Sequence, residues 1–191
     1  SFIALRATNN QHFLVSFLMP ILNTLPNRVK PHIEVYQTGR VTNIHFVTSA
    51  RRSYLLSSVS KDSATHSLRY VRDTYWAKNK WAAPLYLPYQ WQNEEIRRRN
   101  DVVTFGQMTM VWLHRQISTS YNPQHAKSIG LLVISRGCWN TPEEILSYYR
   151  PTHIVLDVTL PQKQRQRLRD VFRQYGLQVY DKVAHIELQE N

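Results

Sequence analysis

One stretch near the end of the chain constrains the fold more than any other part of the sequence: LLVISRGCWNTPEEILSYYRPTHIVLDV, residues 131–158. Its first five residues, 131–135, are a continuous and mostly apolar run, which is typical of a strand covered on both faces in a parallel sheet. A helix start follows, because Thr141 can cap the chain, Pro142 suits the first helical position and Glu144 stands three residues after the cap. The stretch therefore predicts a strand, a short loop, a capped helix and a second strand.

Strand and helix continue to alternate after that helix. The dipeptide Arg150-Pro151 ends it, and residues 153–158 predict the second buried strand. Residues 161–176 predict another helix, and short strands are expected at 177–180 and 185–188. The apolar face of that helix is expected at Leu168, Val171, Phe172 and Tyr175.

The first half of the chain is instead rich in predicted strands and turns. Residues 82–92 are interrupted by prolines and predict a covering loop or an edge strand, whereas residues 93–100 predict a charged turn of helix. Together the two halves predict an α/β sandwich with mixed β-sheets and helices outside. The other expected elements are hairpin strands at 33–37, 41–48 and 53–59, a helix at 61–80, and a further hairpin at 101–105 and 108–114.

The charge balance indicates a class of partner. The chain has 191 residues, with 24 Lys and Arg against 13 Asp and Glu and a formal net charge of +11. Such a field attracts polyanions, either nucleic acid or anionic lipid headgroups. A basic surface that only maintains solubility, or that lies beside a membrane, is the alternative.

The N-terminal segment raises the question of a membrane. Residues 12–25 are mostly apolar but contain Pro20, and they are shorter than the roughly 20 residues that cross a bilayer. They fit a core helix, an interfacial helix or the end of a membrane helix, followed by a linker at 26–32. Because the chain starts at Ser1 rather than Met, we expect it to be a piece of a longer protein.

Catalytic and metal-binding motifs are missing from the local sequence. None of the eight histidines is within five residues of another, so no pair shares a turn or a helix face. The five glycines form no phosphate-binding loop. The single cysteine, Cys138, follows a strand and precedes a helix, where a thiolate would be favoured. No histidine is near it in sequence, and simple packing is the alternative.

Basic and aromatic residues are interleaved in a way that favours binding of single-stranded nucleic acid. Basic groups neutralise phosphates, and aromatic rings stack on bases. A helix that solvates its polar faces with arginine is the alternative explanation. The expected DNA contacts are Arg97, Arg98, Arg99, Lys163, Arg165, Arg167, Arg169 and Arg173.

Two segments of the chain resemble one family. Residues 33–47, IEVYQTGRVTNIHFV, and residues 131–188 are similar to the C-terminal metallo-β-lactamase-like domain of the ComEC-type DNA-uptake channel proteins of bacterial competence. The resemblance is divergent in the middle, around residues 61–128. The family's Asp-Val-Gly-Gln-Gly-Asp phrase is matched by residues 34–39, and its Arg-Pro strand opening is matched by Arg150-Pro151.

The resemblance implies a truncated and divergent metallo-β-lactamase-like αββα sandwich that has lost its metal site. Where the family carries a His-His-Gly-Ser phrase, this chain has a former metal-site loop of Arg136, Gly137, Cys138 and Trp139. The family's His-x-His-x-Asp-His motif has no counterpart. Because a two-metal centre needs several imidazole and carboxylate ligands, we expect no catalytic residues, no metal and no other cofactor. The expected role is a scaffold or a DNA-guiding surface.

The resemblance also implies how the chain is organised. Residues 1–32 would be the remnant of a membrane-proximal helix with its linker, and residues 33–191 the degenerate domain. The domain would belong to an inner-membrane protein and would lie on the periplasmic or outer face. The implied partners are the rest of the same channel protein and single-stranded DNA, and the resemblance leaves open which other components of the competence machinery bind the domain.

Two alternatives remain open. The chain could be a divergent metal-dependent nuclease that recruits distant ligands, with Asp157, His114, His153 and Asp181 as candidates. It could instead be a direct single-strand binding module that uses the basic residues named above.

Overall fold

The computed structural model describes residues 29–38, 40–71, 73, 76–117 and 125–188. Most of the expected membrane-proximal segment, residues 1–28, lies outside the described residues. So do Tyr75, which was expected in the first helix, and Gly39, which ends the family-like phrase.

The first sheet joins the N-terminal hairpins to the end of the chain. Its strands are β1 (His32–Thr38), β2 (Val41–Val47), β3 (Ser53–Ser57), β4 (Leu85–Tyr86) and β12 (Ala184–Glu187). Their order is β12-β1-β2-β3-β4, and β1, β2 and β3 pair antiparallel as the predicted hairpins require. The last strand returns to pair antiparallel with β1. The sheet is mixed, because β3 and β4 are parallel.

The second sheet has seven strands. They are β5 (Gln90–Gln92), β6 (Ile96–Arg99), β7 (Val102–Phe105), β8 (Met108–Leu113), β9 (Lys127–Ile134), β10 (Tyr149–Leu156) and β11 (Gln178–Asp181). Their order is β11-β10-β9-β8-β7-β6-β5. The strands from β8 to β11 are parallel, and those from β5 to β8 are antiparallel. The parallel part coincides with the predicted alternation of strand and helix.

The helices in the described residues are short, except for the last. They are α1 (Lys61–Ser67), α2 (Arg69–Val71), α3 (Ala77–Asn79), α4 (Pro142–Tyr148) and α5 (Gln162–Gln174). The predicted start of α4 is confirmed, because the Thr141 side chain accepts from the Glu144 N–H and the Glu144 carboxylate accepts from the Thr141 N–H. Within the described part of residues 61–80, the predicted helix corresponds to α1, α2 and α3.

Four layers result from these elements. The two sheets face each other across a buried apolar core that includes Ile44, Phe46, Met110, Leu131 and Val155. Since this inner core is sealed from water by both sheets, it supplies most of the driving force for sandwich formation.

The outer faces of the sheets carry the helices. Leu168 and Phe172 of α5 pack on Ile154 on the outer face of the second sheet. Ala64 of α1, together with Trp76, packs on Leu55 on the outer face of the first sheet. The predicted αββα sandwich with mixed sheets is therefore confirmed.

One prediction of secondary structure is wrong. Residues 93–100 were expected to form a charged helical turn, but they contain strand β6, in which Ile96 and Arg98 are buried and Arg97 and Arg99 are exposed. This alternation is the period of a strand. The run of three arginines hid it, because burial of Arg98 depends on partners elsewhere in the fold.

Candidate functional site

The carboxyl ends of the parallel strands form a cleft at one rim of the sandwich, where sheets of this kind usually carry their sites. It has a volume of about 230 Å³. Arg136, the first residue of the loop 136–139 that was expected to be a former metal site, lies at its edge. The lining residues are Arg40, Thr42, Ser57, Ser58, Tyr89, Trp112, His114, Ser135, Arg136 and Thr159.

A fully buried carboxylate, Asp157, holds two residues of the cleft wall. Its Oδ2 accepts hydrogen bonds from Thr42 Oγ1 and Thr159 Oγ1, each at 2.6 Å. Its Oδ1 has no hydrogen-bond partner within the described residues. Ser135, also in the wall, accepts a hydrogen bond from Trp112 Nε1 at 2.8 Å. The carboxylate thus connects β2 of one sheet to the end of β10 in the other.

The loop itself offers little to a metal ion. Gly137 has a φ of +104°, and a Cβ there would lie 2.2 Å from the carbonyl oxygen of His114, so only glycine fits. Cys138 is buried, and burial raises the pKa of its thiol. A thiol is neither a good nucleophile nor a good ligand until it loses its proton. The catalytic-thiol hypothesis therefore has no support in the structure.

The two-metal site that the family's histidine motifs would build does not fit the residues of the rim cleft. Among the described residues, the cleft wall offers hydroxyls and the cation of Arg136, and the carboxylate of Asp157 is buried behind the wall, where it is bonded to Thr42 and Thr159. The one imidazole in the wall, His114, has its Nε2 2.9 Å from Asp101 Oδ1. A two-metal centre needs several imidazole and carboxylate ligands converging on one point.

The four candidate ligands of the nuclease alternative are not brought together. His114 and Asp157 reach the same rim, but His153 lies beside Tyr180, with ring centroids 5.9 Å apart. Asp181 is engaged by Arg165 and Arg169 of α5, each at 2.9 Å. Among the residues that the structure describes, no metal-sized group of three ligands includes any of these four.

Three of the expected DNA contacts are engaged within the protein. Arg98 is 3% exposed, donates hydrogen bonds to the carbonyl oxygens of Leu87 and Asn100, and lies over the ring of Tyr89. The other two are the ion-paired residues of α5 just described, of which Arg165 is also buried. Arg98 and Arg165 therefore stabilise the fold.

The remaining expected contacts are exposed: Arg97, Arg99, Lys163, Arg167 and Arg173. Lys163 and Arg167 flank a hollow of about 330 Å³ with Trp139, whose side chain is among the most exposed aromatic groups of the described chain at 66%. The loop thus contributes an exposed aromatic ring to a basic surface.

The structure also assembles residues that local spacing did not reveal. Glu34 on β1 is paired in register with His45 on β2 and with His185 on β12, and His32 is on the same face. Burial lowers the pKa of His32 and of His45. The period of two in β1 could have placed His32 and Glu34 together, but pairing with His185, 151 residues away from Glu34, has no local signal.

With the geometry established, comparison with known families identifies the class of protein. A model of the ComEC C-terminal domain matches residues 33–183. The chain therefore belongs to the ComEC C-terminal domain family, a family of competence and DNA-uptake proteins, and the resemblance seen in the sequence is confirmed. No match was found among curated proteins or among solved structures. Each helix within the described residues falls short of the length and apolar character that a bilayer crossing requires.

Proposed function

We propose that this chain is a non-catalytic domain of an inner-membrane DNA-uptake protein and that its surface guides single-stranded DNA. Family membership supports the uptake context. The donor set of the rim cleft supports a non-catalytic role, because hydroxyls and one engaged carboxylate are a poor site for hydrolytic metals. In this proposal residues 1–32 connect the domain to the membrane part of the protein, and the domain lies on its outer side.

The observation that carries the DNA-guiding role is the surface around Trp139. The exposed indole lies between α4 and α5, and the hollow beside it has Pro142 and Leu168 among its apolar walls. Lys163 and Arg167 stand on the same hollow. A base can stack on the indole while the two cations neutralise neighbouring phosphates, which is the usual combination in single-strand binding.

A second basic surface lies on the same side of the molecule. Arg97 and Arg99 point to the outer face of the second sheet, opposite Gln92 and Gln90 on the edge strand β5. A hollow of about 550 Å³ borders them. Because α4 and α5 pack on β10 and β11, the β5 to β7 part of this face is left uncovered by them. One strand of DNA could therefore cross from one basic surface to the other.

The test is binding of a fluorescently labelled single-stranded oligonucleotide, followed by anisotropy at several salt concentrations. We expect the double charge reversal Lys163→Glu with Arg167→Glu to weaken binding and to reduce the slope of log affinity against log salt by roughly 0.7 for each phosphate that the protein no longer neutralises. Trp139→Ala should cost about 1–3 kcal/mol of binding free energy because the base no longer stacks, with little change in the slope.

The matched control reverses two charges in the other outer layer. Lys61→Glu with Arg69→Glu changes net charge by the same amount on α1 and α2, so a purely long-range electrostatic effect would weaken binding equally. Equal losses in the two double variants, or no binding at low salt, would contradict the guiding surface. DNA cleavage that needs an added divalent metal and is abolished by Asp157→Ala would contradict the non-catalytic role.

A further inference from the structure

The polar cluster of β1, β2 and β12 lies apart from the rim cleft. His45, Glu34 and His185 stand side by side on three neighbouring strands, and His32 is on the same face of β1. Thr42 of the cleft points to the opposite face of β2 and lies roughly 10 Å along the strand from His45. The cluster therefore occupies the outer face of the first sheet, beneath Trp81.

Three of these side chains have the spacing of metal ligands. His185 Nδ1 is 3.1 Å from Glu34 Oε1, and His32 Nε2 is 3.8 Å from the same oxygen. One ligand atom from each residue lies within 4.8 Å of the others. Ligand atoms around a tetrahedral zinc ion with bonds near 2.1 Å are about 3.4 Å apart, so small side-chain rotations would close the site.

The tautomer of His32 leaves a lone pair facing the carboxylate. Its Nδ1 is 2.7 Å from the carbonyl oxygen of Lys30, which can only accept, so Nδ1 carries the proton. Its Nε2 is buried and has no hydrogen-bond partner within the described residues. When the ring is neutral, the lone pair of His32 Nε2 faces a lone pair of Glu34 Oε1 away from water. A cation bound between the two atoms would relieve this unfavourable arrangement. Metal-bound histidines commonly donate their other N–H to a backbone carbonyl in this way.

The carboxylate is oriented by its other oxygen. The Tyr36 hydroxyl donates to Glu34 Oε2 and accepts a hydrogen bond from Trp76 Nε1 at 2.9 Å. His45 Nδ1 is also 2.9 Å from that hydroxyl. This arrangement turns Glu34 Oε1 towards His32 and His185, as is usual for a carboxylate ligand held by a neighbouring group.

We propose that His32, Glu34 and His185 bind one divalent transition-metal ion, with Zn²⁺ as the best match. Two imidazoles and one carboxylate are a common zinc set, and the fourth position opens into a hollow of about 580 Å³. Metal binding at this site does not depend on DNA binding. Such a site departs from the expectation of a metal-free chain, which was based on the spacing of the histidines and on the missing metal motifs of the family.

The surroundings of the site limit what completes it. Lys30, Lys78 and Lys80 line the same hollow, and Lys30 is ion-paired with Glu187 at 3.1 Å. Their positive charge favours water, hydroxide or a small anion as the fourth ligand. The bound ion would connect β12 to β1, so its role is to fasten the end of the chain to the first strand.

The experiment uses the chain stripped of metal with a chelator and titrated with Zn²⁺ in competition with a chromogenic chelator. We expect one equivalent to bind and the midpoint of thermal unfolding to rise. Removing a group that hydrogen-bonds a metal ligand typically lowers metal affinity by about 10–100-fold. Tyr36→Phe, which removes the hydroxyl bonded to Glu34, should therefore weaken Zn²⁺ binding by that much, and His185→Ala should weaken it at least as much. His185 is half-exposed, so its replacement should leave the fold intact, which circular dichroism checks.

Two control variants test whether the ion binds at the proposed site or at another histidine. His66→Ala removes an exposed histidine of α1, and His114→Ala removes the imidazole of the rim cleft. Both should leave Zn²⁺ affinity unchanged. X-ray absorption of the zinc-loaded wild-type chain, which does not depend on any variant folding, should show two imidazoles and oxygen ligands. Absence of stoichiometric binding, full affinity in a folded His185→Ala variant, loss of affinity in His114→Ala, or a sulfur ligand would overturn the proposal.

Discussion

Hydrogen bonds between buried polar side chains connect the two sheets of this protein. Asp157 is the clearest case, since it is fully buried and accepts from Thr42 in the first sheet and from Thr159 in its own loop. Hydrogen bonds to an ionised group contribute more than neutral ones, and leaving their donors without partners costs more still. Asp157 therefore fixes the loop that borders the cleft.

We expect Asp157→Ala to lower the free energy of unfolding by about 1–3 kcal/mol, because the buried hydroxyl of Thr42 and the partly buried hydroxyl of Thr159 lose their acceptor. Denaturant unfolding followed by tryptophan fluorescence would measure the change. Asp170→Ala is the matched control, since Asp170 is exposed on α5 and bonds only Gln166 among the partners described. Similar losses in the two variants would show that Asp157 is not a structural link.

His45 provides a second prediction at this scale. It is fully buried, and burial lowers its pKa below the ordinary value of about 6.5. As the pH falls through 6.5 the unfolded chain takes up a proton that the folded chain resists, so stability declines on acidification. Each such group contributes at most roughly 1.4 kcal/mol per unit of pH.

Unfolding free energies measured from pH 7.5 to pH 5 with a chelator present should therefore decline less steeply for His45→Gln than for the wild-type chain. The exposed His66, replaced in the same way, serves as the control and should leave the slope unchanged. A wild-type stability that stays level or rises over this interval would refute the prediction.

At the scale of elements, α4 shows how much local sequence can specify. The helix has only seven residues, too few to be stable alone, and Ile145 is its main buried contact besides Pro142. Its start is fixed by the reciprocal bonds between Thr141 and Glu144. Since Trp139 precedes this start by two residues, the cap also sets where the indole lies.

We expect Thr141→Ala to cost about 1 kcal/mol of stability and to weaken DNA binding by displacing Trp139. Glu143→Ala, in the same first turn but outside the reciprocal pair, is the control. Chemical unfolding and oligonucleotide anisotropy would measure the two effects. If Glu143→Ala were as harmful as Thr141→Ala, net charge near the helix start rather than the cap would be responsible.

The elements with strong local patterns were predictable and the rest were not. The hairpins of β1 to β3, the pair β7 and β8, and the strands β9 and β10 followed from apolar runs and turn residues. Strand β6 did not, because Arg98 is buried only through carbonyls that the fold supplies. Likewise the rim loop could be placed from sequence, whereas the cluster around Glu34 needed the register of β12 against β1.

At the scale of the whole molecule, stability should be distributed from the centre of the second sheet outwards. Strands β8, β9 and β10 lie inside the sheet and are covered on both faces, whereas β5 and β11 are its edges. Local opening costs least at edges and most in such central strands. The positions of the amide hydrogens that exchange slowly with solvent therefore report which strands are covered on both faces.

Hydrogen exchange followed by mass spectrometry should therefore show the slowest amides at 131–134 and 154–156, and early exchange in β5 and β4. The measurement compares peptides of one sample, so no variant is needed. Protection of β5 equal to that of β9 would contradict the layer arrangement, because it would mean that this edge is covered.

The pairing of the last strand with the first has a mechanical consequence. Leu188 N–H donates to the carbonyl oxygen of Pro31 at 2.8 Å, so the chain enters and leaves the sandwich at adjacent points. Tension applied between these points would separate β12 from β1 by breaking the hydrogen bonds of one residue pair after another. Separation would begin at His32 opposite Glu187, and the hydrogen bonds would not all have to break together. An ion held by Glu34 and His185 would lie only two residues along β1 from the pair that separates first. It would therefore cross-link the two strands and resist their separation.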